Sequence, residues 1–228
     1  MTTTSSDTLR DGRTRGATAI HERPTWRGRL HVWAFVVSLP AAVALIALAD
    51  GKIPTVAAAL FAGAVVLLFG SSAAYHRLTR TERSKRIMQR VDHSMIYILI
   101  AGTYAPLCLV ALPRSWGIPV LVAAAAVAAA GIGLRVFAFE RTEWLGYALY
   151  PIMGGAGIIV LPMLIRHLSA GQLALIVTGG LTYGVGVLIL FHRRPDPWPR
   201  SFGYHEIWHA LTVLAAALHF VAIADLLT

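Results

Sequence analysis

The sequence predicts an all-α, polytopic membrane protein: a seven-transmembrane-helix bundle with its N-terminus in the cytoplasm. Three observations predict it. Of 228 residues, 57% are hydrophobic and 14% charged, more apolar material than a soluble domain of this length can hide in its own interior. Apolar runs of about 20 residues recur, the length that carries a helix across a ~30 Å hydrocarbon core. The basic residues gather in alternate connections, as topology signals do. The runs do not alternate polar with apolar as a membrane barrel would. Backbone groups in lipid need partners within their own segment, so each run is read as a helix.

Taken in order, residues 1–28 are polar, basic and rich in Ser, Thr and Arg, and are read as a disordered cytoplasmic tail without a cleavable signal pattern. Residues 29–228 form the membrane domain. The first span covers 30–49, and Asp50-Gly51-Lys52 makes a tight connection. The second covers 54–76, with Pro54 at its start, where a missing N–H costs little. A charged loop, 77–90, precedes the third span, 92–112. The fourth covers 118–137, the fifth 145–165 and the sixth 172–191. A basic, proline-rich loop, 192–200, leads to the seventh, 205–227. Pro40, Pro106, Pro151 and Pro162 lie inside spans and are expected to kink them.

Seven spans put the termini on opposite sides, and charge decides which is which. Lys and Arg number 17 in the tail and the second-to-third, fourth-to-fifth and sixth-to-seventh connections, against three elsewhere: Lys52, Arg114 and Arg166. The tail and the three richer loops are therefore expected in the cytoplasm and Thr228 outside, in a plasma (inner) membrane. The same placement explains the net charge of +9 without a nucleic-acid partner. Cys108 is the single cysteine, so no disulfide forms within the chain and no cysteine-rich metal site exists.

Ionisable side chains within spans are costly and mark candidate sites. His76 closes the second span, Asp92 opens the third, and His205, Glu206 and His209 open the seventh. All three helix ends lie on one side of the membrane, so these residues share one depth. His205 and His209 are four apart and stack on one helical face, and Ser72 and His76 have the same spacing. Three neutral imidazoles and a water make a catalytic-type zinc site with one open position, where zinc makes hydroxide available near neutral pH. Structural zinc is usually closed by four protein ligands, and only three histidines are level here. Asp92 is a further candidate member of the group. His31, His192, His219 and the outer His167 are read as interfacial histidines. His93 points about 100° away from its neighbour Asp92 around the helix.

His205-Glu206-Ile207-Trp208-His209 also matches the H-E-x-x-H pattern of zinc proteases. Such an enzyme needs another ligand from a later helix, and no helix follows this one. The pattern alone therefore leaves the protease as the weaker reading.

Three ordered stretches carry a resemblance. Ser71-Ser72-Ala73-Ala74-Tyr75-His76-Arg77, then Asp92-His93-Ser94-Met95-Ile96-Tyr97 running on to Ala101-Gly102-Thr103-Tyr104-Ala105-Pro106, then His205-Glu206-Ile207-Trp208-His209, resemble the bacterial hemolysin III proteins. These are relatives of the adiponectin and progestin receptors, the PAQR group, and of the alkaline ceramidases. Arg27-Gly28-Arg29-Leu30-His31 fits the family's approach to its first helix. The resemblance covers the chain from about Pro24 to its end. It implies a seven-helix bundle holding zinc near the cytoplasmic face, with His76, His205 and His209 as ligands. Asp92 would hold the water and Ser72 would sit beside it. It also implies a metal-dependent hydrolase of lipid amides, of ceramidase type.

The expected chemistry is hydrolysis of an amide or ester bond in a membrane lipid, with Asp92 as general base and then acid. Ser72 would steady the water or the oxyanion, and Glu206 would be a partner of a ligand imidazole. Expected partners are membrane lipids, with a homo-oligomer open. The rivals are a non-enzymatic membrane sensor or receptor with structural zinc, and a haemolytic pore. A pore needs polar residues at several depths, whereas here they cluster at one.

Overall fold

The computed structural model describes residues 24–228, all of whose regular elements are helical. They are α1 (Arg29–Leu48), α2 (Lys52–Leu78), α3 (Glu82–Pro106), a π-helical turn (Leu107–Ala111), α4 (Arg114–Phe137), α5 (Glu143–Gly155), α6 (Gly157–His167), α7 (Ala170–His192) and α8 (Tyr204–Leu227). They make seven segments long and apolar enough to cross a membrane, with α5 and α6 sharing one of them, Trp144–His167. Large apolar side chains face outward along the bundle, Val43 at 68% and Ile158 at 73% exposure among them. That is the surface a protein presents to lipid rather than to water. The expectation that residues 1–23 are disordered falls outside the described residues.

Two boundaries differ from the sequence reading, each for a physical reason. The loop expected over 77–90 is mostly helix, because α3 starts at Glu82, ten residues before Asp92. Thr81 caps it: its hydroxyl accepts from the Ser84 N–H, and Ser84 Oγ accepts from the Thr81 N–H. Hydropathy marks where a helix meets lipid, not where its first hydrogen bond forms. The fifth span is broken at Ala156, between Pro151 and Pro162 and beside Gly154, Gly155 and Gly157. Near this break the Met153 carbonyl accepts from the Tyr104 hydroxyl of α3 at 2.9 Å. Pro106 ends α3, and the π turn follows directly.

The core has two parts. Phe61, Leu68 and Phe69 of α2 pack with Leu45, Leu99 and Ile223, joining α1, α2, α3 and α8. Tyr97, Tyr104, Met153 and Leu164 centre the other, which joins α3, α4, α5 and α6. Residues 24–28, assigned to the tail in the sequence reading, form a turn against the start of α8. The Thr25 and Trp26 N–H groups donate to the Arg200 and Ser201 carbonyls, both at 3.2 Å. This brings the starts of α1, α3 and α8 and the end of α2 to one end of the bundle.

Candidate metal centre

Three histidines from two helices meet at that end. His76 lies in the last turn of α2, and His205 and His209 lie one turn apart at the start of α8. Each offers a ring nitrogen, and the three nitrogens lie within 4.8 Å of one another. His205 Nε2 and His76 Nε2 are 3.4 Å apart. Two nitrogens bound to one tetrahedral zinc at ~2.0–2.1 Å stand ~3.4 Å from each other. His76 and His209 are buried, and His205 is half-buried. The donor set is all imidazole, which suits a borderline cation such as zinc. The residues present therefore fit a metal ion.

Asp92 stands outside this ligand group. It is half-buried in α3, with the side chain of Ser72, one turn before His76 on α2, close to its carboxyl. Ser72 is buried. His76, His205 and His209 are thus the converging imidazole set, and Ser72, with Asp92 near it, lies one turn along α2 from His76.

Glu206 has other company. Its Oε1 accepts from Arg27 Nε, and its Oε2 accepts from the Gly203 N–H at 2.9 Å. Those two partners, rather than a ligand imidazole, occupy the carboxylate, and they tie the segment before α1 to the start of α8. Gly28, next to Arg27, has a positive φ of 76°. A Cβ built on it would lie 2.5 Å from His76 Cβ, so only glycine lets the turn rest on the ligand. Across α8, a Cβ on Gly186 of α7 would lie 2.7 Å from the Trp208 ring, so α7 supports α8 at close range beside His209.

One residue of this neighbourhood was missed in the sequence. His31, read there as interfacial, is buried and stacked on His209, with ring centroids 3.8 Å apart and planes 7° from parallel. Its other neighbour is Phe69, edge-on at 5.1 Å. Neither of its ring nitrogens has a hydrogen-bond partner among the described residues. The only sequence signal for it was its depth at the start of α1, level with the ligands. His219, also read as interfacial, is buried between α7 and α8, where its Nε2 lies 3.0 Å from the Ile176 carbonyl. His93 is not among the converging nitrogens and packs against Phe139 and Tyr147.

Fold and site together define a multi-pass, seven-helix membrane protein with a three-histidine cluster at one end. A model of the haemolysin-III-related family matches residues 20–220. The hemolysin-3 homolog of Bacillus subtilis is 32% identical over 196 residues, covering 85% of this chain and 89% of that protein. Hemolysin-3 of Bacillus cereus is 29% identical over 191 residues, covering 82% and 84%. The adiponectin receptor protein of Drosophila melanogaster is 26% identical over 187 residues, covering 74% of this chain and 41% of that longer protein. The chain belongs to the haemolysin-III-related family.

Proposed function

We propose that this protein is a zinc-dependent hydrolase of membrane lipids that cleaves an amide or ester bond, in the manner of a ceramidase. One observation carries the reading: a carboxylate, Asp92, interacts with Ser72, one helical turn from the ligand His76, and is not itself among the three converging imidazoles. A staple needs no such group, and hydrolysis needs a base. Bound by His76, His205 and His209, zinc supplies Lewis acidity toward a carbonyl and acidifies water.

The chain's own side chains do the rest. Asp92 takes the proton of the attacking water and returns it to the leaving amine or alcohol. Ser72, close to the Asp92 carboxyl, helps to orient it. Arg27 and Glu206 hold the segment before α1 against α8, which keeps His31 and Gly28 pressed on the ligands. A lipid reaches this depth sideways between helices, its acyl chain remaining in apolar surroundings. The 17 to 3 distribution of basic residues supports a cytoplasmic N-terminus, an outer Thr228 and a site in the inner leaflet. A reporter active only outside the cytoplasm, fused after Thr228, is then active, and the same reporter inserted within residues 80–86 is silent.

The competing reading is a receptor-like sensor, favoured by the similarity to an adiponectin receptor protein. Asp92→Asn separates the two. It keeps the shape of the side chain but cannot take a proton, and general acid–base groups contribute ~10²–10⁴-fold to rate. The variant is expected to keep its zinc and its Tm, yet to release fatty acid from ceramide-like or phospholipid substrates at least ~10²-fold more slowly. Wild type that releases none in native lipid, with Asp92→Asn reproducing the deletion phenotype, would replace the hydrolase with the sensor.

A further inference from the structure

A second buried group of nitrogens lies between α3, α4 and α5, with the opposite chemistry. Arg135, in the last turn of α4, is only 1% exposed. Its Nε donates to the Tyr150 hydroxyl at 3.2 Å, while Nη1 and Nη2 are buried and have no hydrogen-bond partner among the described residues. The nearby hydroxyls are held in place by bonds of their own. The Tyr150 hydroxyl donates to the His93 carbonyl at 2.8 Å, and the Tyr97 hydroxyl donates to the Gly146 carbonyl at 2.7 Å. Three rings surround the guanidinium carbon: Tyr147 at 4.4 Å, Phe139 at 5.3 Å and Tyr150 at 5.4 Å. Aromatic faces steady the cation, but they do not satisfy the in-plane fork of N–H groups.

Two further features belong to the same place. His93 packs on Phe139 and Tyr147, the rings that also flank Arg135, and its Nδ1 is likewise buried and unpartnered. Arg90 reaches across from α3 to donate to the Val136 carbonyl at 3.1 Å, placing a second guanidinium beside the end of α4. On the α5 side, a Cβ on Gly146 would lie 2.6 Å from Arg135 Cζ, so the guanidinium lies flat on α5 backbone. An unpaired charge inside a membrane bundle is among the most costly arrangements a protein can keep.

We propose that Arg135, with His93, forms a binding site for an oxyanion, the phosphate group of a lipid headgroup or of free phosphate. Two terminal nitrogens in a planar fork match two phosphate oxygens. The position at the end of a span, with Arg90 beside it, matches the depth of a headgroup. The site uses none of the three converging histidines and does not depend on the hydrolase reading.

The test uses full-length protein, purified without phosphate, and reads the Tm. In one arm inorganic phosphate replaces chloride at constant ionic strength. In the other, nanodiscs of phosphatidylcholine are compared with nanodiscs containing phosphatidylglycerol. A ligand present at about a hundred times its Kd should raise the Tm of a chain this size by roughly 5 °C or more. A rise with phosphate alone identifies a soluble oxyanion, and a rise only with phosphatidylglycerol identifies a headgroup; either supports the site. Arg135→Met should lose the rise while melting no lower than wild type without the anion, because an unpaired buried charge has been removed. Arg135→Lys keeps charge without the fork and should show a reduced rise, and it serves if the methionine variant does not accumulate. No rise in wild type in either arm, or the same rise in Arg135→Met, overturns the proposal. Zinc content should be unchanged throughout.

Discussion

The histidine cluster and the Arg135 cage are both buried groups of nitrogens, yet they are built to opposite ends. At the cluster, ring nitrogens converge to within 4.8 Å, and the 3.4 Å separation of one pair suits a shared cation. At the cage, two N–H donor nitrogens stand among aromatic faces, unpartnered among the described residues. Their supports differ too. The cluster is pressed from outside by the turn at residues 24–28, by the stacked ring of His31 and by α7 behind Trp208. The cage is held by tyrosine hydroxyls bonded to backbone carbonyls on α3 and α5. The lesson is that nitrogen in a membrane bundle is read by the direction of its lone pairs and protons, not by residue type or depth.

The largest expected effect comes from taking one arm off the cluster. His76→Ala, His205→Ala and His209→Ala each remove one of three ligands. Each should lower metal affinity by more than the ~10–100-fold typical of losing an outer partner, and elemental analysis of purified protein should show the ion depleted. Arg135→Met, which touches only the cage, should leave the metal content at the wild-type level. Full retention in all three histidine variants would dissolve the distinction between the two sites.

A smaller effect is expected at Gly28. Alanine there must adopt a left-handed conformation, which costs of order 1–3 kcal/mol, and its Cβ would meet His76 Cβ. Gly28→Ala should therefore lower the Tm and weaken metal retention together, more than alanine at Gly63, where nothing lies within 4 Å of the added carbon. Loss of Tm with undisturbed metal content would mean that the turn supports the fold without supporting the ligand.

Glu206→Gln is expected to act in the same direction but through the ion pair. It leaves the Gly203 cap in reach of a carbonyl oxygen and removes the charge that Arg27 meets. Metal content should fall less than in any ligand variant, and Arg27→Gln should mimic it. Additive losses in the double variant would show that the two residues do not act as a pair.

Much of this was legible in the sequence because membrane proteins write depth into the chain. Seven apolar runs gave the spans, and the helix ends at His76, Asp92 and His205 gave one level. The four-residue spacing of His205 and His209 then gave a shared face. What sequence could not supply was rotation about each helix axis. His31 sits at the same level as the ligands, but nothing in its flanking residues says that it turns inward onto His209. Arg135 was counted as a topology charge, since an arginine at a span's end ordinarily reaches for water. Only the packing of α4 against Gly146 and the three rings turns it inward. Helix starts were also out of reach, because α3, capped by Thr81, begins at Glu82, ten residues before the apolar run at Asp92.

The smallest expected effect probes the edge of the cluster. His31 touches His209 face to face, and a fourth imidazole so close invites the view that it is a fourth ligand. Its geometry argues otherwise. It stacks by its ring face on His209 and lies edge-on to Phe69, and it falls outside the group of converging nitrogens. Among the described residues, both of its own nitrogens are buried without a partner, an arrangement that costs stability. Phenylalanine offers a ring of similar outline without those polar atoms. His31→Phe should therefore retain the metal and melt at or slightly above the wild-type temperature. His31→Ala should remove the stack, leave a cavity beside His209 and lower the Tm by the few degrees a lost buried ring implies. Metal depletion in His31→Phe as deep as in a ligand variant would make His31 part of the coordinating set. The cluster would then be a closed four-histidine site, favouring the sensor over the hydrolase.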